Sequence, residues 1–348
     1  MIYIIRANHT NEFELQNYIG LSKKNDIRVI SSYHPLSDIT LPLTKLWSLT
    51  DLPYFPYRRQ ILNRLIGGEQ WLVGLNDIVE SGDILHTAET YTPYTHQAVV
   101  LRKKGFIKKL VCTCWETIPH NNEKFDRLKE WKQESYKYVD IFHTPTQLAK
   151  QALVIVGVDP KKIVVIPYGI DLARFKPVQM KKNKRPVVLT VARLEKEKGI
   201  QDLEQVAADL PQYDFVVVGR GTYIPSGRNI KIMNVDYLDI HKIYQSADIF
   251  FLPSITTDSW EEQYGMAAIE AMATSLPLVV TNSGSLSEVV GEVGLIVPEK
   301  NVDKMVKTIT DLLSSPEKMR KFSQLSLAHA INHFDSKKIA QSLAELYS

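Results

Sequence analysis

DIFFLPSITTDSWEEQYGMAAIEAMA, residues 248–273, sets an apolar run, a polar loop and a helix-forming run one after another. DIFFLPS is a short apolar run halted by a proline, the pattern of a buried strand. From Gly265 onward, GMAAIEAMA consists of strong helix formers. The order is strand, loop, helix, the unit from which open parallel sheets are built. Glu262 falls in the loop, beside the free N–H groups of the helix's first turn, and such a turn attracts an anion. Glu270 lies further along the same helix. The two carboxylates suit a ligand with a negatively charged middle and hydroxyls at both ends.

The same rhythm runs on both sides of this stretch. Before it come PVVLTVARL, a helix over 200–209, YDFVVVGRG, IKIMN and a helix over 239–246. After it come PLVVTNSG, a helix over 285–290 and GLIVPE, then a helical segment from about 302 to 348 with breaks near Pro316 and Phe334. This predicts one parallel sheet.

A second, less regular sheet is predicted from the N-terminal half. IYIIRA and DIRVISSY read as strands flanking NEFELQNYIGLSKK, whose Phe13, Leu15, Tyr18 and Ile19 have helical spacing. The turn Ala7-Asn8-His9-Thr10-Asn11 contains no glycine, so the dinucleotide fingerprint is absent. GDILHTAE delivers His86 and Glu89 to a strand end, and KKLVCTCWETIPH delivers Trp115, Glu116 and His120. Ligands of open α/β sheets sit beyond the carboxyl ends of the strands, so these residues are expected to face a cleft. DIFHTPT and KKIVVIPYGIDLARFKP complete the half, and the polar basic stretch QMKKNKR suits a linker.

A chain of 348 residues is long for one core. The predicted division is an N-terminal domain over 1–170, completed by the C-terminal helix 335–348, and a C-terminal domain over 171–334. Two such α/β domains face each other across a cleft. The net charge of +3 is too small to suggest nucleic acid, and the excess belongs to the first 170 residues, with 21 Lys/Arg against 17 Asp/Glu. Cys112 and Cys114 alternate in a strand, so their side chains are expected on opposite faces without a disulfide, which argues for a reducing cytosol. Neither cysteine has zinc-ligand spacing. No apolar run is long enough to span a membrane, and MIYIIRAN lacks the flanks of a signal peptide. The expected location is cytoplasmic, with any membrane contact peripheral.

Two clusters of basic and aromatic residues bear on that contact. SLTDLPYFPYRRQILNRLIGG carries Arg58, Arg59 and Arg64; LRKKGFIKKL carries Arg102, Lys103, Lys104, Lys108 and Lys109 around Phe106 and Ile107. Such stretches are commonly solvated faces, and they also suit an anionic membrane surface.

Six segments in sequence order together resemble the retaining glycosyltransferases of family four, which have the two-domain GT-B fold. EEQYGMAAIEAMA resembles that family's E-x7-E motif and VARLEKEKGI its G-R-L-x-x-x-K-G segment. VVIPYGIDLARF is similar to its I-P-N-G-V-D hinge and VVVGRGT to its V-G-x-G turn, and YQSADIFFLPS and TNSGSLSEVVGEVGLIVP follow the family pattern. The likeness is strong over about 160–300 and weak before it.

The resemblance implies a nucleotide-sugar donor, a glycan or lipid-linked acceptor, no cofactor and no essential metal. Arg193 and Lys198 are then the cations that hold the donor diphosphate; outside the motif they would read as surface charges in a charged run. Glu262 touches the transferred sugar, Glu270 takes the ribose hydroxyls, and Gly219, Gly265, Met266 and Ala267 line the donor. Many relatives carry a His where this chain has Trp115 and an Asn where it has Tyr168, so Glu116 and His120 are the candidates on the acceptor side. A GT-B epimerase or phosphorylase, or a non-catalytic nucleotide-sugar binder, are the alternative readings; a pyridoxal-binding Lys cannot be placed.

Overall fold

Ile2–Ala7 is buried along all six residues, as a strand covered on both faces must be. In the computed structural model, which describes residues 1–22, 26–179 and 183–348, this strand is β1. With it, β2 (Ile27–Ser31), β3 (Leu43–Lys45), β4 (Ile84–Ala88), β5 (Lys109–Thr113), β6 (Ile141–Thr144) and β7 (Ile163–Val165) form a sheet ordered β3-β2-β1-β4-β5-β6-β7. Every pairing is parallel. Ile2 of β1 sits opposite Ile27 on one side and Ile84 on the other, which places the strand order's reversal between β1 and β4.

A second parallel sheet comprises β8 (Val187–Val191), β9 (Asp214–Val218), β10 (Ile230–Met233), β11 (Ile249–Leu252), β12 (Leu278–Thr281) and β13 (Leu295–Val297). Its order is β10-β9-β8-β11-β12-β13, with the reversal between β8 and β11. Helices Ile200–Asp209, Ile240–Ser246, Met266–Ala273 and Leu286–Val290 fall within a residue or two of the positions read from the sequence. Phe215, Ile249, Phe251 and Val279 from the sheet pack with Leu203, Val206 and Met305 from helices in one apolar cluster. The result is two Rossmann-like units with helices, as the rhythm predicts.

The chain divides into Met1–Tyr168 with Ser336–Ser348, and Gly169–Asp335. Part of the predicted linker, Met180–Lys182, lies outside the described residues, as do the last two residues of NEFELQNYIGLSKK. Helix Ser336–Ala344 returns to the first unit, where the missing side chain of Gly20 makes room for it: a Cβ there would stand 2.9 Å from that of Ala340. Beyond the helix, the Tyr347 hydroxyl lies 2.6 Å from His86 Nδ1.

That last contact corrects the expectation for His86. It sits within β4, fully buried, and Nε2 is 2.7 Å from Thr113 Oγ1. Burial holds its pKa well below the usual range, with Arg6 and His143 adding to the effect, so it remains a neutral core residue. The cysteine expectation also changes. Side chains two positions apart in an extended chain share a face rather than oppose each other, so Cys114, one residue past β5, has its sulfur 3.8 Å from that of Cys112. Both are buried free thiols.

Candidate functional site

In a parallel sheet the loops at the carboxyl ends of the two strands that flank the order reversal diverge and leave a crevice between them. In the second unit those strands are β8 and β11. The loop after β8 carries Arg193 and the short 3-10 turn Lys196–Lys198. The loop after β11 runs from Pro253 to Gly265 and carries Glu262. The two loops are tied by a backbone hydrogen bond from Ile255 N to the Glu197 carbonyl, 2.8 Å.

At their junction Lys198 Nζ stands 2.6 Å from Glu262 Oε2. The same oxygen accepts a hydrogen bond from Ser254 Oγ at 2.8 Å. The Trp260 ring covers the ammonium at 4.7 Å, adding a cation–π contact. Glu262 Oε1 makes no hydrogen bond among the described residues, so one oxygen of the carboxylate is fixed and the other is available. The loop after β12 supports the arrangement from behind. Gly284 has φ +49, and a Cβ on it would stand 2.2 Å from the Glu262 carbonyl oxygen, so only glycine allows this backbone approach.

Gly265 is the N-cap of helix Met266–Ala273, in the left-handed region, with no side chain capping the helix start. The first-turn amides of Met266 and Ala267 have no intrahelical acceptor and are open to an anion. Gly219 follows β9, where a Cβ would stand 1.9 Å from the carbonyl oxygen of Ala192. Its absence of a side chain lets the loop after β9 lie against the one after β8. Arg193 is exposed and forms a 3.1 Å ion pair with Glu197.

Glu270 is buried one helical stretch further on. Its Oε2 accepts a hydrogen bond from Tyr244 at 2.6 Å. Burial pushes its pKa up to about 7, while hydrogen bonds from Tyr244 and Tyr237 and the charge of Arg174 pull the other way. That guanidinium lies 4.5 Å from the Tyr237 ring centroid and 4.8 Å from that of Phe175. The apolar neighbours read from the sequence are therefore accompanied by two phenols and a cation that it did not reveal.

The first unit gathers Glu116, His120 and Glu89 around one pocket at the ends of β4 and β5. The Glu116 carboxylate is held by the side-chain amides of Asn121, 3.1 Å, and Asn122, 2.7 Å. His120 is exposed, with Nδ1 3.4 Å from Glu123. Glu89 is the residue whose weight the sequence did not convey. It has φ +61, is half-buried, and accepts the Trp115 amide at 2.8 Å. Burial, and then the neighbouring Glu116 carboxylate, push its pKa up to about 8.

Trp115 and Tyr168, which stand where many relatives carry His and Asn, pack on each other. Their rings stack with centroids 4.8 Å apart and 18° between planes. The buried Tyr168 hydroxyl donates to Glu14 Oε1, 3.1 Å, and lies 2.6 Å from that of Tyr18. Glu14 in turn pairs with the buried Arg6 at 2.7 Å.

Comparison with known proteins agrees with this fold. The profile described as "Glycosyl transferases group 1" matches residues 173–326, and that described as "Glycosyltransferase Family 4" matches residues 78–174. Spore coat protein SA of Bacillus subtilis is 27% identical over 187 residues, 47% of this chain and 48% of that protein. The N,N'-diacetylbacillosaminyl-diphospho-undecaprenol alpha-1,3-N-acetylgalactosaminyltransferase of Campylobacter jejuni is 28% identical over 236 residues, 61% of each chain. These matches span between about half and three fifths of the relatives' lengths. Anabaena Alr3699/HepE, solved with UDP and glucose, superposes with a TM-score of 0.76 at 16% identity, covering 99% of this chain and 98% of that one.

Proposed function

From the premise that the chain belongs to the family-4-like glycosyltransferases of GT-B fold, we propose that it moves a sugar from a nucleoside diphosphate sugar to an acceptor hydroxyl with retention of anomeric configuration. The observation that carries this reading is the meeting of Lys198, Glu262 and an uncapped helix start beside the reversal of the second sheet.

The donor diphosphate lies against the amides of Met266 and Ala267, with Arg193 and Lys198 as its counter-charges. Glu262 Oε1 accepts a hydroxyl of the transferred sugar. Glu270 holds the ribose, with Tyr244 fixing one of its oxygens. In the reaction the bond from the anomeric carbon to the diphosphate oxygen breaks. A bond from the acceptor oxygen to that carbon forms on the same face, and the acceptor's proton passes to the departing phosphate oxygen. Negative charge grows on the leaving group, so donors aimed at it lower the barrier more than they tighten binding. Arg193, Lys198 and the helix amides are the groups that meet that charge, with no essential metal ion in the reaction. The acceptor is a glycan or lipid-linked hydroxyl, with Glu116 and His120 on its side; the Campylobacter relative's name specifies a diphospho-undecaprenol acceptor.

A panel of nucleotide sugars, screened for a rise in melting temperature, should identify one that stabilises the protein. Release of nucleoside diphosphate should then depend on an acceptor, and the product's anomeric proton should show the donor's configuration by NMR. A panel that leaves the melting temperature unmoved removes the donor site; an inverted product removes the retaining mechanism.

A further inference from the structure

Helix Arg58–Ile66 of the first unit buries none of its nine residues. Tyr54, Phe55, Tyr57, Ile61 and Leu65 on and before it are exposed, Tyr54 by 83% and Leu65 by 62%. Short helices in water are ordinarily held by burying an apolar face. This one is held at its ends. Arg58 bonds through Nε to Glu69 at 3.0 Å and through Nη1 to the Leu52 carbonyl at 2.6 Å. At the other end Gly67 closes the helix against the Trp131 ring, where a Cβ would stand 2.4 Å from the indole, and Arg127 donates to the Leu65 carbonyl. The segment is fixed while its apolar side chains face outward.

Its charge is one-sided. Residues 52–68 contain three Arg and no Asp or Glu. Glu69 neutralises Arg58, whereas Arg59 and Arg64 form no ion pair among the described residues. The second basic cluster differs. Arg102 is bidentate on Asp140 at 2.7 and 2.8 Å, Lys103 pairs with Glu134 at 3.1 Å, and Lys109 donates to the Ser348 carbonyl. Lys104 and Lys108 of the second cluster form no ion pair among the described residues, but Phe106 is the one exposed large apolar side chain beside them, against several in the first.

We propose that this surface docks on an anionic lipid bilayer. Tyr54 and Tyr57 lie at headgroup level, Ile61 and Leu65 enter the acyl boundary, and Arg59 and Arg64 meet lipid phosphates. Apolar side chains flanked by cations, with no carboxylate among them, complement an anionic interface. No described helix is long and apolar enough to cross a membrane. The inference gives the lipid-linked part of the functional reading a physical location, and vesicle binding is measured without sugar transfer, so either can fail alone.

The full chain is sedimented with vesicles of phosphatidylcholine, and with vesicles that also contain phosphatidylglycerol, at low and high salt. Binding is expected only to the anionic vesicles, weakening as salt rises. Arg59→Ala with Arg64→Ala should lower partitioning roughly 30-fold. Ile61→Ser with Leu65→Ser should lower it by about tenfold or more, with the melting temperature unchanged because these side chains are exposed. Nucleotide-sugar stabilisation should persist in both variants. Absence of binding to anionic vesicles, or equal binding by the variants, overturns the proposal. So does light scattering that shows a wild-type dimer which the variants convert to monomer without any vesicle binding.

Discussion

Lys198 and Glu262, 64 positions apart in sequence, meet at 2.6 Å. Their side chains are 13% and 9% exposed, so neither charge is fully hydrated. Taking one away leaves the other with a desolvation cost and no partner.

Lys198→Ala is therefore expected to cost about 3 kcal/mol of stability in urea denaturation. Lys198→Met combined with Glu262→Leu should recover most of that loss, since an apolar pair needs no counter-charge. Transfer should be lost in both variants. Independent, additive losses in the double variant would show that the pair is not coupled.

Arg193 should behave differently because its charge is mostly in water. Its ion pair with Glu197 joins a residue that is 59% exposed, and such pairs contribute little. Arg193→Ala should change stability by less than about 0.5 kcal/mol. Turnover should fall by about 10- to 100-fold with little change in KM, because the cation meets charge that develops on the leaving diphosphate. An unchanged kcat would remove Arg193 from the mechanism.

Glu270 sets a pH dependence. Its folded pKa, about 7 and raised chiefly by burial, lies above the value of an unfolded chain. The folded state binds more protons, so its stabilising contribution is complete below about pH 4 and is lost as pH rises through about 7. Glu270→Gln should flatten that decline, by an amount on the order of 2 kcal/mol. Ligand hydroxyls that donate to the carboxylate favour its ionised form, so donor affinity should rise as pH passes through about 7. A Gln variant with the wild-type pH profile of affinity would separate Glu270 from the ligand.

Trp115 is predicted to act through packing. Trp115→Ala removes half of the stack on Tyr168 and should cost about 2 kcal/mol. Tyr168→Phe keeps the stack but strands the hydrogen-bonding groups of Glu14 and Tyr18, and should cost about 1 kcal/mol. A variant at Trp115 with full stability and no transfer would assign it instead to the reaction.

How legible the site was depended on the range of the interactions involved. Gly265 marked the helix start because glycine before a run of Met, Ala, Ile and Glu is a local signal, and the helix begins one residue later. Gly284 carried no such mark; its role appears only when the Glu262 carbonyl lies 2.2 Å from where its Cβ would stand. Glu270 was legible as a carboxylate in apolar surroundings, but Tyr244 comes from a different helix. The basic clusters looked alike in sequence because their partners, Asp140, Glu134 and the C-terminal residue, lie about thirty or more positions away.

Local patterning is enough to set the alternation of strands and helices, the two parallel sheets and the glycine at the critical helix start. These follow from periods of two and 3.6 residues and from backbone preferences, which act over a few neighbours. Only the tertiary fold settles that Lys198 shares a carboxylate with Ser254, that Trp115 lies on Tyr168, and that His86 is a core residue tied to Tyr347. Those contacts exist because the order of the strands brings β11 beside β8 and β4 beside β5, and side-chain charge and burial are set by whatever that ordering places within a few ångströms.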